Sequence, residues 1–131
     1  MGIIEEAIRL HESGFNCAQS VLCACGKYTG LDDDTALALS AGFGGGVRCG
    51  EICGAISGAV MAIGMAYPFA DASDTKAKER IAALTRECAG RFENEYGCVR
   101  CCELKASGCS CAALIEYAAA LAEDIINVNK K

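Results

Sequence analysis

A chain of 131 residues with a formal net charge of -5 and a pI near 4.8 carries no broad positive field, so neither nucleic-acid backbones nor acidic membrane surfaces are expected partners. The length suffices for one hydrophobic core, which predicts a single domain over 1–131, and a 53% apolar composition with one Pro and no Trp favours closely packed helices. The opening Met1-Gly2-Ile3-Ile4-Glu5-Glu6 lacks the basic and apolar regions of a secretory signal, so a cytoplasmic location is expected, and eleven cysteines in a reducing compartment point to metal binding or thiol redox chemistry, not a disulfide framework.

No segment alternates apolar and polar residues long enough to predict a strand, and the helical period recurs throughout, so an all-α compact bundle of about five to six helices is predicted. A first helix runs from about Ile3 to Ser13, with Ile4, Ala7, Ile8 and His11 on one face and Gly14 as its stop. His11, the single histidine, reads there as a core residue and not a ligand. A second helix follows from about Asn16 to Lys27. Asp32 and Asp33 can cap a third through Ala36, Leu37 and Leu39, which ends in the turn Gly42-Phe43-Gly44-Gly45-Gly46. The fourth spans roughly Glu51 to Ala66. Residues 52–70 carry no charge and are about long enough to cross a bilayer, but Ala, Gly and Ser dominate them, Pro68 closes them and no basic cluster flanks them, so a buried core helix is predicted and not a membrane span. Ser73 or Asp74 can cap a long fifth helix with the stripe Ala77, Ile81, Leu84, Cys88 and Phe92, ended by Gly97. After a short cysteine-rich connection, the last helix from about Ser110 to Val128 carries Cys111, Leu114, Ala118, Leu121 and Ile125 on one face.

Helical register sorts the cysteines. Cys17 shares a side with Val21 and Ala24, whereas Cys23 aligns with Asn16, Ser20 and Lys27 and is expected at the surface. Cys49 and Cys53 fall on the stripe of Ile56, Val60 and Ile63, beside a glycine ridge of Gly50, Gly54 and Gly58 that would let a neighbouring backbone or a cluster come close. Cys88 sits among core residues, and Cys111 points inward while Cys109, two residues earlier, does not. The densest run, Cys98-Val99-Arg100-Cys101-Cys102 followed by Cys109 and Cys111, puts five thiols in fourteen residues. It matches neither a bacterial ferredoxin nor a zinc ribbon, and Cys98-Val99-Arg100-Cys101 lacks the βαβ context of a thioredoxin pair.

The segments Gly14-Phe15-Asn16-Cys17-Ala18-Gln19, Gly42-Phe43-Gly44-Gly45-Gly46 and Cys53-Gly54-Ala55-Ile56-Ser57-Gly58 together resemble the C_GCAxxG_C_C family of redox-active proteins. The resemblance extends to Cys101-Cys102-Glu103-Leu104, which fits the family's third cysteine, and to Cys111, which fits the fourth. It implies a centre held by Cys17, Cys53, Cys101 and Cys111. The family looks related to the iron–sulfur domain of split-Soret cytochromes c, and this implies an iron–sulfur cluster, [2Fe-2S] or [4Fe-4S], serving electron transfer or redox sensing with a redox protein partner. Seven cysteines exceed the minimal pattern, and Cys49, Cys98, Cys102 and Cys109 could build a second or larger cluster. The Gly42–Gly46 turn would then either aim backbone N–H groups at cluster sulfurs or serve as a tight interhelical turn. An exposed Cys23 face would suit a homodimer. Two other classes stay open: a thiol–disulfide redox protein and a zinc or copper binder.

Overall fold

The computed structural model describes residues 2–129, so Met1, Lys130 and Lys131 of the expected 1–131 domain lie outside the described residues. Eight α-helices follow one another: α1 (Ile3–Glu12), α2 (Cys17–Ala24), α3 (Gly26–Thr29), α4 (Asp33–Ser40), α5 (Gly54–Ala66), α6 (Thr75–Tyr96), α7 (Cys101–Ala106) and α8 (Cys111–Val128). The fold is all-α, and six of the helices have seven residues or more. The count slightly exceeds the predicted one for two local reasons. The expected second helix breaks at Cys25, whose ψ of 16° leaves the helical region before Gly26 starts α3. The cysteine-rich connection, expected to be irregular, winds into α7.

The caps follow from short polar side chains. Asn16 accepts the Gln19 N–H at 3.0 Å while the Gln19 side chain accepts the Asn16 N–H at 3.1 Å, a reciprocal pair that starts α2. Asp32, Asp74 and Ser110 do the same service in single bonds for α4, α6 and α8. Gly97, at φ +84°, ends α6 in the left-handed region.

Helix α5 packs against α2, α6 and α8, and its Ala55, Ala59, Ala62 and Ile63 have no exposed surface. Among the described residues no helix is long and apolar enough to cross a membrane. The predicted glycine ridge explains the closeness of α2 to α5 in part: a Cβ at Gly58 would stand 2.7 Å from the Ala18 carbonyl oxygen, and one at Gly54 would stand 3.2 Å from the Ala18 nitrogen. Helix α6 buries Leu84, Cys88 and Phe92 as its stripe predicts, and Phe92, Tyr96 and Tyr117 of α8 stack at centroid distances of 4.9 to 6.0 Å.

Three expectations need correction. The fourth helix begins at Gly54, not near Glu51, so Cys49 and Gly50 are not on its stripe. Residues 45–48 instead make a left-handed turn, with Gly45, Gly46, Val47 and Arg48 at φ between +58° and +65°. That conformation costs a residue with a side chain roughly 1–2 kcal/mol, and a Cβ at Gly46 would stand 2.5 Å from the Glu51 backbone, so glycine is required there. Cys23 is buried, at 6% exposure, because α4 covers that face of α2, where the thiol meets the Asp33 carboxylate at 3.5 Å. The argument for a homodimer through an exposed Cys23 face thereby loses its premise. His11 is half-buried, not a core residue, and its Nδ1 lies 3.2 Å from the Phe15 carbonyl oxygen.

Candidate functional site

The four cysteines singled out by the resemblance share one structural position. Cys17 is the first residue of α2, Cys101 the first of α7, Cys111 the first of α8, and Cys53 is the residue that caps α5. Each helix therefore presents its N-terminal end, where unpaired N–H groups carry partial positive charge, beside one sulfur. Such ends favour thiolates over thiols.

Several local devices hold them together. Residues flanking Cys53 and Cys101 pair in an isolated antiparallel bridge, Ile52 with Arg100. The Cys53 N–H donates to the Val99 carbonyl at 2.8 Å, and the Cys101 N–H to the Glu51 carbonyl at 2.6 Å. These two bonds fix the start of α7 beside the start of α5. Cys17 approaches from the other side, since α2 lies on Gly54 and Gly58. Asn16 anchors this end further: its side-chain nitrogen donates to the Ala41 carbonyl at 2.9 Å, and a Cβ at Gly44 would collide with it. The glycine-rich segment thus acts in close packing, with Phe43 and Gly44 against Gly54.

Burial first, and then Cys111, Cys53 and Cys101 in the same direction, with Cys111 also acting through a hydrogen bond, together push the Cys17 thiol up to about 12. The other three sulfurs are thus within electrostatic reach of Cys17. Cys53 is buried, which raises its pKa, while the nearby N–H groups of Ala55 and Ile56 pull the other way, without a side-chain cap bond to α5. Without a cation, four thiolates there would repel one another and lose hydration. Among the described residues no group of three or more His, Cys, Asp or Glu side chains stands in the arrangement of a metal-ion site.

The family model described as "Putative redox-active protein (C_GCAxxG_C_C)" matches residues 15–125. The chain belongs to this family. Searches of the curated proteins and of the solved structures found no match. The C_GCAxxG_C_C match begins two residues before Cys17 and runs past Cys111, so all four N-terminal cysteines fall within it.

The other cysteines divide into two groups. Cys88 and Cys25 are wholly buried, and burial raises Cys88 to about 11 and Cys25 to about 12, so both are inert packing thiols. Sequence reasoning left Cys25 unplaced, since its burial depends on the break between α2 and α3. Cys49 and Cys102 are exposed, and Cys98 and Cys109 half-buried. Cys49 does not face the interior with Cys53, contrary to the helical register, because the left-handed turn redirects the chain between them.

Proposed function

We propose that Cys17, Cys53, Cys101 and Cys111 hold an iron–sulfur cluster and that the protein moves or senses electrons through it. The observation that carries this reading is the common placement of the four thiols at helix N-termini, with Cys17 feeling the other three. An iron–sulfur core when bound supplies a one-electron redox couple, and soft thiolate donors suit it.

The chain's own groups would then set the properties of the centre. The Ala55 and Ile56 amides near the Cys53 sulfur, together with the N-terminal ends of α2, α5 and α8, stabilise added negative charge and so raise the reduction potential. Burial of Cys53 and Cys101 limits water around two of the sulfurs. A redox protein partner would exchange electrons at this end of the molecule.

Anaerobic purification tests the reading. Brown protein with iron and acid-labile sulfide in fixed ratio, bleached by Cys→Ser at any of the four positions, is expected. Colourless protein that binds neither iron nor sulfide on reconstitution overturns it.

A further inference from the structure

The end of α5 remote from Cys53 borders a cavity of about 480 Å³, within the range of roughly 300–1,000 Å³ that takes a small organic molecule. Ala66 and Tyr67 at the close of α5 line one side, and Asp74 to Arg80 at the start of α6 line the other. Two of the lining residues are cations, Lys76 and Arg80, one turn apart on α6. Among the described residues neither is paired with a carboxylate. Like charges at that spacing repel, and an anion between them removes the repulsion. Arg80 is also held in place: its guanidinium lies 5.0 Å from the centre of the Tyr67 ring, and the Tyr67 hydroxyl donates to the Ile126 carbonyl at 2.7 Å. Asp74 is the acid on the lining, and its Oδ1 already accepts the Ala77 N–H at 3.1 Å. The cavity thus gathers two positive charges against one negative, in a chain whose net charge is -5.

We propose that this cavity binds a small organic oxyanion, a carboxylate or a phosphate monoester. The planar guanidinium of Arg80 donates two parallel N–H bonds to oxygens of the anion, and the Lys76 ammonium adds a third charge-assisted bond. The apolar body of the ligand lies against Pro68 and the methyl groups of Ala66 and Ala77. No cysteine takes part. Helix α5 has 13 residues and so spans about 20 Å, which separates this cavity from Cys53. Binding here does not depend on iron at the other end.

Amide NMR titrations of the full chain with benzoate and with phenyl phosphate test the site, at constant ionic strength and with neutral benzamide as the control. Saturable shifts at residues 66–68 and 74–80 are expected with one or both anions and not with benzamide, and the tighter anion identifies the charged group. Arg80→Gln and Lys76→Gln change exposed side chains, so the fold should persist while each weakens binding by about tenfold, as loss of one charge-assisted hydrogen bond does. Arg86→Gln, at an exposed position of the same helix outside the cavity, should leave the affinity unchanged. Shifts that never saturate or that spread over other basic residues, undiminished binding in Arg80→Gln, equal binding of benzamide, or no binding of either anion would overturn the proposal. None of these outcomes bears on whether the cysteines hold iron.

Discussion

The half of the molecule built from α6 and the body of α8 differs from the end where α2, α5, α7 and α8 begin. The first is apolar packing: Leu84, Cys88 and Phe92 of α6 and Leu114, Ala118 and Leu121 of α8 are buried at helical spacing, and an aromatic cluster of Phe92, Tyr96 and Tyr117 joins the two helices. The second is made of turns, caps and glycine contacts, and holds four sulfurs where a hydrophobic core would hold methyl groups. Both contain buried cysteine. Arg91 and Glu87 are the charges acting on Cys88, whereas three other thiols act on Cys17, so what sets the candidate ligand apart is its neighbouring thiols and not its burial.

Substitutions can break this contrast, and the largest effect belongs to the apolar half. Phe92→Ala should cost about 3–5 kcal/mol in a urea titration, because a wholly buried ring leaves a cavity, while iron bound per folded molecule stays unchanged. Alkaline pH should come next. Burial holds Cys17 and Cys25 near 12 and Cys23 and Cys88 near 11, above the ordinary value of 9.0. The folded chain therefore keeps protons that the unfolded chain releases. Metal-free protein is fully stabilised by these groups below about pH 9, and loses stability as pH rises from there towards 11–12, by roughly 1.4 kcal/mol per pH unit for each fully buried thiol in its window. Thermal unfolding of the metal-free protein between neutral and strongly alkaline pH reads this, and a flat profile would contradict the burial of the thiols.

Gly58→Ala tests the link between the halves. Its new Cβ would meet the Ala18 carbonyl oxygen at 2.7 Å, so α2 must shift, at about 1–3 kcal/mol, and iron retention should fall because Cys17 begins that helix. Cys53→Ser should do the reverse. The Cys53 side chain makes no cap bond to α5 and a serine hydroxyl suits that position, so metal-free stability should change by less than about 1 kcal/mol while the centre is lost. Arg100→Ala should have the smallest effect, under about 1 kcal/mol, since its pairs with Glu51 at 3.0 Å and Glu103 at 3.1 Å are exposed. A larger loss for Arg100→Ala would mean that the bridge beside Cys53 and Cys101 depends on this side chain.

Much of the regular part was legible in the residues. The α6 stripe, its glycine stop, the Ser110 cap and the α8 face all follow from spacing and cap chemistry, since local helical periodicity survives into the packed molecule. The candidate set of Cys17, Cys53, Cys101 and Cys111 was legible through motifs, but not the reason for it. Helical register by itself misplaced Cys49, because nothing in Gly44-Gly45-Gly46-Val47-Arg48 announces that Val47 and Arg48 adopt the left-handed region. It misplaced Cys23 too, since whether a polar-looking face is covered depends on where α4 folds back.

The all-helical class, the capped starts of α2, α4, α6 and α8, and the inward stripes of α6 and α8 were determined by the chain itself, because each depends on residues within a few turns of one another. Only the tertiary structure decided that α5 begins beside α7 and that Cys53, Cys101 and Cys111 come within electrostatic reach of Cys17. Those facts rest on contacts between residues far apart in the chain, such as Gly58 under Ala18 and Arg100 beside Ile52, and no local period encodes them.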